Sequence, residues 1–142
     1  MAELISYQHV LPDGTMTGGE PDAEALSALQ AAGFECLISL RGVGESPYDG
    51  AYFESHGFQF QHLPVSGPGD LVGDFAERFD QALKACEGKT VVFCATGNRV
   101  GAAFAIRAHN MGGHDLEDAV EIGKAAGLSR LEGFVRQYLS LN

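Results

Sequence analysis

The chain has 142 residues, a hydrophobic fraction of 45% and a formal net charge of −10, from 9 Lys and Arg against 19 Asp and Glu. This length and apolar content suit one domain over residues 1–142 with a real core. The acidity argues against nucleic acid or an anionic membrane as partner, since either would need clustered basic side chains, and no stretch approaches the roughly 20 unbroken apolar residues of a membrane span.

Leu4 to Val10 alternates and reads as a strand. Asp13-Gly14 marks a turn before a second short strand, Thr15 to Gly19. Pro21 then opens a helix from about Asp22 to Ala32, where Ala25, Leu26, Leu29 and Ala32 recur at helical spacing. Gly33 stops it at the C′ position. Glu35 to Leu40 is a buried strand ending at Arg41, followed by a loop containing Gly42, Gly44, Ser46 and Pro47. Tyr48 to His56 predicts a short helix closed by Gly57, and Phe58 to Leu63 a strand with Phe58 and Phe60 on one face. After the loop Pro64 to Gly69, Asp70 to Cys86 forms the best amphipathic helix, with Leu71, Phe75, Phe79, Ala82 and Leu83 on one stripe. Thr90 to Phe93 is a short apolar strand, Val100 to Met111 a helix, and two further helices cover about Asp115 to Ala126 and Arg130 to Leu139.

Strands alternating with helices predict an α/β fold, a mostly parallel central sheet flanked by helices. Ligands bind such sheets at the carboxyl ends of the strands. Three loops emerge there: Arg41 to Pro47, Pro64 to Gly69, and the six residues Cys94-Ala95-Thr96-Gly97-Asn98-Arg99.

The last of these concentrates the chemistry. A thiol at a strand end, a tight glycine turn and an arginine opening a helix make an anion pocket with a nucleophile at its floor. The N–H groups at the helix start and its dipole favour negative charge, and the same field with Arg99 should stabilise the Cys94 thiolate. Cysteine phosphatases and sulfurtransferases use such an arrangement. Because the chain is acidic overall, anion binding must come from this loop. Arg41 is a further candidate for meeting an anionic substrate, although Glu45 offers it an ion pair. The side chains of Thr96 and Asn98 face either solvent or the pocket.

Cys36, Cys86 and Cys94 are an odd number without framework spacing. Cys36 and Cys86 read as separate structural thiols, small hydrophobes in an apolar run and at a helix end. With no basic start and apolar signal core, a reducing cytoplasm is the expected location. His56, His62, His109 and His114 lack the short Cys/His spacing of a zinc site, so neither metal nor cofactor is expected.

Gly18-Gly19-Glu20-Pro21, Leu37-Ile38-Ser39-Leu40-Arg41 with Glu45 behind it, Leu63-Pro64-Val65 and Cys94-x-x-Gly97-x-Arg99 occur in that order over nearly the whole chain. In these runs the sequence resembles the bacterial phosphatase-like domain of the beta-lactamase hydrolase-like proteins, a family related to dual-specificity protein phosphatases, some members of which are labelled sulfur transferases. The resemblance implies a cysteine-phosphatase-like fold and a phosphorylated or other small anionic substrate. It implies Cys94 as nucleophile, with Arg99 clamping the phosphoryl oxygens. The N–H groups of Ala95, Thr96, Gly97, Asn98 and Arg99 would hold the remaining oxygens.

Several positions depart from that pattern. Ala95 stands where the family carries arginine, Val100 where it carries Ser or Thr, and Phe93 where many phosphatases carry histidine. The dual-specificity loop is one residue longer, whereas rhodanese-type sulfurtransferases share this length. A persulfide-carrying sulfurtransferase and a weakly active, anion-binding pseudophosphatase are therefore the alternatives to hydrolysis of phosphomonoesters, phosphotyrosine among them. A phosphatase also needs an acid for its leaving oxygen. Ser66 falls near the place of the dual-specificity acid; Asp70 is the nearest carboxylate and also reads as the N-cap of the long helix, with Asp74 a weaker candidate one turn on.

Overall fold

The computed structural model describes residues 2–141. Its strands are β1 (His9–Val10), β2 (Met16–Gly19), β3 (Phe34–Ser39), β4 (Gln59–His62) and β5 (Lys89–Cys94); its helices are α1 (Ala23–Ala31), α2 (Gly50–Ser55), α3 (Phe75–Ala85), α4 (Asn98–Asn110), α5 (Leu116–Ala125) and α6 (Glu132–Ser140). The sheet order is β1-β2-β5-β3-β4, antiparallel only between β1 and β2.

β5 is the middle strand, and its alternation divides the core. Val92 and Cys94 face the helices α3 to α6, joining Phe79, Val100, Ile106 and Val135. Val91 and Phe93 face the opposite side with Leu26, Leu29, Leu37 and Phe53. Five of the six β5 residues are buried, as expected for a strand covered on both faces. Aspartates cap three helices: Asp22, Asp49 and Asp115 accept from the N–H groups of Ala25, Tyr52 and Asp118.

Three expectations need correction. The first strand shrinks to two residues, because Gln8 Oε1 accepts from the N–H groups of Leu4 at 2.6 Å and Ile5 at 3.3 Å and curls this segment into a turn. The long amphipathic helix is split: a 3-10 turn covers Pro68–Leu71, Val72 is extended, Gly73 has φ 72°, and α3 begins only at Phe75. Asp70 consequently does not cap α3. Its Oδ2 accepts from Ser66 N–H at 2.8 Å, closing the preceding loop. Cys36 and Cys86 form a disulfide with Cα atoms 6.1 Å apart. Sequence spacing hides this pairing, because 50 residues separate the partners and only the packing of α3 across the sheet unites them.

The other shifts are at element ends. Asp49 moves the start of α2 to Gly50, α6 begins at Glu132, and α4 begins at Asn98, inside the cysteine loop. Phe58 and Phe60 do join one apolar cluster, against Phe53.

Candidate active site

The four parallel strands send their C-terminal ends to one edge of the sheet. β5 ends at Cys94, β2 ends beside it through the Gly19–Cys94 pairing, and β3 and β4 lead into the loops carrying Glu45 and Val65. The close approach explains Gly19: a Cβ there would lie 2.8 Å from Ala95 O and 2.6 Å from Ser6 Oγ, whereas one on Gly18 would meet Ser6 O at 2.6 Å. Gly97, with φ 82°, makes the left-handed turn that starts α4, a conformation glycine adopts without a Cβ clash.

Cys94 is 1% exposed and is the free cysteine of the chain. Its Sγ accepts from Gly97 N–H at 3.2 Å. The loop therefore curls over the sulfur and directs a backbone donor at it, as a helix N-terminus can for any centre of negative charge.

Arg99 is held by the loops that follow β3 and β4. Its Nη1 donates to Glu45 Oε1 and to Val65 O, each at 2.7 Å, and Nη2 donates to Glu45 Oε2 at 2.6 Å. These bonds use three of the five guanidinium N–H groups. Nε–H and the second Nη2–H remain, side by side on one edge, a spacing that suits two oxygens of one tetrahedral or planar anion. The hydrogen bond to Glu45 is the main cause holding the Arg99 pKa above its ordinary value; Cys94 acts in the same direction and burial opposes both. Reciprocally, Arg99 is the chief reason the Glu45 carboxyl falls to about 2, with Gly42 N–H and Arg41 assisting against burial.

Arg41 serves this clamp. Its Nε lies 3.2 Å from Glu45 Oε2 and 3.8 Å from Glu20 Oε1, and its Nη2 donates to Glu45 O at 3.0 Å. His62 Nε2 is 2.6 Å from Arg41 O. Ser46 Oγ donates to the second oxygen of Glu20 at 3.1 Å. Arg41 thus stiffens the loop that grips Arg99.

Asn98 turns neither to solvent nor to the pocket. It is 8% exposed, and its Oδ1 accepts from Ser129 N at 3.0 Å, Ser129 Oγ at 3.2 Å and Leu131 N at 3.1 Å. Through Oδ1 the side chain fastens the 129–131 segment to the cysteine loop. Thr96 is half-buried at the edge of a cleft of about 530 Å³ shared with that segment. Val100 is fully buried in the core. Asp70 is exposed on the loop that supplies Val65, while Asp74 pairs with Arg78 at 3.2 Å on the surface.

Sequence reasoning missed the Glu45–Arg99 contact, because Glu45 sits four residues from Arg41 and invites a local pairing. Val65 contributes a carbonyl, which leaves no trace in residue type. Among the described residues no three His, Cys, Asp or Glu side chains converge as a metal site, and no helix is long and apolar enough to cross a membrane.

This is a cysteine-phosphatase-like fold. No protein-family model and no curated protein sequence matches the chain. Solved structures do. A DUF442 protein from Shewanella putrefaciens CN-32 superposes with a TM-score of 0.68 at 18% identity, over 95% of this chain and 87% of that one. The core catalytic domain of the PP-IP phosphatase SIW14 from S. cerevisiae, in complex with citrate, gives 0.69 at 15% identity over 99% and 88%. TpbA from P. aeruginosa, as a cysteine-to-serine variant in complex with phosphotyrosine, gives 0.64 at 14% identity over 100% and 95%.

Proposed function

We propose that the protein hydrolyses phosphomonoesters through a Cys94 thiophosphate. The observation that carries this reading is the Arg99 Nε/Nη2 edge that Glu45 and Val65 leave open, together with a buried thiol that already accepts a loop N–H. In the first step the Cys94 sulfur attacks phosphorus, the ester P–O bond breaks, and Asp70 gives its proton to the leaving oxygen. Arg99 and the N–H groups of residues 95–99 hold the three non-bridging oxygens. In the second step water attacks the thiophosphate, Asp70 takes the water proton, and the S–P bond breaks to release phosphate and the Cys94 thiolate. Structural similarity to TpbA in complex with phosphotyrosine supports aryl phosphates as the substrate type. Membership in the beta-lactamase hydrolase-like phosphatase domains is part of the same proposal and rests on motif order.

A second reading rests on the six-residue length of the loop. A shorter ring of donors encloses less space, which suits a Cys94 persulfide and a sulfurtransferase. The Cys36–Cys86 disulfide favours an oxidising compartment over the cytoplasm expected from unpaired cysteines.

Intact-protein mass spectrometry after brief exposure to an aryl phosphate, or to thiosulfate, followed by rapid quench, separates these readings. A phosphate-sized adduct that disappears in Cys94→Ser supports phosphoryl transfer. A single added sulfur moves the chain to the sulfurtransferases. Aryl phosphate turnover that survives Cys94→Ser overturns the mechanism, and binding without any adduct identifies an anion-binding pseudophosphatase.

A further inference from the structure

Arg130 differs from the other eight basic residues of this acidic chain. Arg41, Arg78, Lys84, Arg99, Arg107, Lys124 and Arg136 all pair with carboxylates, and Lys89 caps Ala32 O and lies over the Phe34 ring. Arg130 is exposed and, among the described residues, has no ion-pair or hydrogen-bond partner.

Its place in the fold gives that vacancy a meaning. Arg130 lines the cleft of about 530 Å³ with Tyr7, His9, Thr96, Lys124 and Ser129, and no carboxylate is among its lining residues. The cleft of about 780 Å³ beside β4 carries Asp49, and one of about 230 Å³ near the start of α1 carries Glu3, Glu20 and Asp22. Thr96 belongs to the cysteine loop, so the cleft reaches that loop at this residue. Lys124 is partly neutralised, at 3.4 Å from Glu132 and 3.8 Å from Glu121. Glu132 is in turn held at 2.9 Å by Arg136, which leaves Arg130 as the uncommitted charge.

The position of Arg130 relative to Cys94 is fixed by the backbone on either side of it. Asn98 takes the N–H groups of Ser129 and Leu131, the residues flanking Arg130, and is itself one residue from Arg99. The guanidinium therefore emerges from a segment bolted to the cysteine loop, rather than from a free surface turn.

We propose that Arg130 forms a second anion subsite, so that the preferred substrates are phosphomonoesters carrying a further phosphate or carboxylate. The scissile phosphoryl group sits on the Cys94 loop and the second anion lies in the Thr96–Arg130 cleft. This deepens the phosphatase reading above and rests on it for turnover, although binding tests it independently.

The test compares phenyl phosphate, 3-carboxyphenyl phosphate and 1,3-phenylene bisphosphate as substrates of the wild-type chain, Arg130→Gln and the control Arg78→Gln. The expected result is that Arg130→Gln raises KM for the two doubly anionic substrates about tenfold more than for phenyl phosphate. Arg78→Gln should leave that ratio unchanged, and high salt should erode the preference in the wild type. The carboxylate and bisphosphate arms show which second anion the subsite takes. Equal effects of Arg130→Gln on all three substrates, or none, overturn the subsite. If no substrate is turned over, calorimetric binding of the bisphosphate against phenyl phosphate decides. An Arg130-dependent preference then keeps the subsite and rejects the phosphatase reading, and its absence rejects both.

Discussion

Glu45 grips both Nη atoms of Arg99 from a position 54 residues earlier in the chain, at 2.7 and 2.6 Å. The contact sets the roll of the guanidinium plane, because a carboxylate on the Nη1/Nη2 edge leaves the Nε/Nη2 edge for a ligand. Glu45→Gln removes the charge and replaces one acceptor oxygen by a donor, so the plane loses its fixed roll. We expect kcat/KM for an aryl phosphate to fall on the order of 10²-fold, the scale of a modest misplacement of a positioning group. Steady-state kinetics beside a circular dichroism melt would separate this from a folding defect.

The same contact makes stability pH-dependent. Glu45 is lowered from an ordinary 4.5 to about 2, with its hydrogen bond to Arg99 the leading cause. The unfolded chain therefore binds more protons between those two values. The contribution is fully present above about 4.5 and is lost as pH falls towards about 2. After allowance for a side chain that is 30% exposed, it is on the order of 1–2 kcal/mol. Asp80, lowered by Lys84 and Arg107, adds a contribution of the same sign. Urea midpoints from pH 7 to pH 3 should drop more steeply for the wild type than for Glu45→Gln, the gap between them narrowing with acidity.

The sheet and its connections were legible because period and punctuation agree: Val91 and Phe93 alternate with Val92 and Cys94, and Gly33 and Gly57 stop helices where their positive φ permits. Cys94 and Arg99 were legible because their neighbours in sequence are also their neighbours in space. What was hidden depends on chain folding over long separations. Glu45, Val65 O and Arg99 meet only when β3, β4 and β5 align, Cys36 meets Cys86 only once α3 packs, and Asn98 finds its partners 31 and 33 residues on. The split of the Asp70 helix was missed for a local reason. The apolar stripe continues through Leu71 and Phe75 although the backbone turns at Gly73.

Asn98 should matter for stability before it matters for chemistry. Truncation to alanine takes the shared acceptor from the N–H groups of Ser129 and Leu131 and the hydroxyl of Ser129 in a partly buried setting. The cost is about 1–2 kcal/mol, read as a fall in Tm of roughly 3–8 °C. Asn98→Asp keeps the acceptor and should recover most of the stability. It also adds negative charge next to Arg99, so its KM for a phosphomonoester should rise several-fold even where its Tm does not fall.

Reduction should uncouple stability from activity. Cys36 is paired in register with Thr90, four residues before Cys94 on β5, so the disulfide lies about 13 Å along the strand from Cys94. Opening it frees a loop spanning 50 residues in the unfolded chain, a change of about 2–4 kcal/mol. Calorimetry with and without a reductant should show a lower Tm in the reduced protein, and the Cys36→Ala/Cys86→Ala variant should match it. Initial rates at 25 °C should stay within about twofold of the oxidised protein. A Tm that ignores reductant would show that the bond does not form in the protein as prepared.

The assignment of Asp70 turns on its leaving-group dependence. Its Oδ2 is occupied by Ser66 N–H, which fixes the carboxyl on the loop whose Val65 carbonyl accepts from Arg99 and leaves Oδ1 uncommitted. A general acid matters most when the departing oxygen is basic and hardly at all when it is a stabilised phenolate. Asp70→Asn keeps an acceptor oxygen for Ser66 but has no proton to give. Its kcat/KM should therefore fall by about 10²-fold with phenyl phosphate and by less than about threefold with 2,4-dinitrophenyl phosphate, steepening the dependence on leaving-group pKa. A uniform fall across the series would make Asp70 a brace for the Val65 loop, and the acid would then have to be sought at Ser66 or in water.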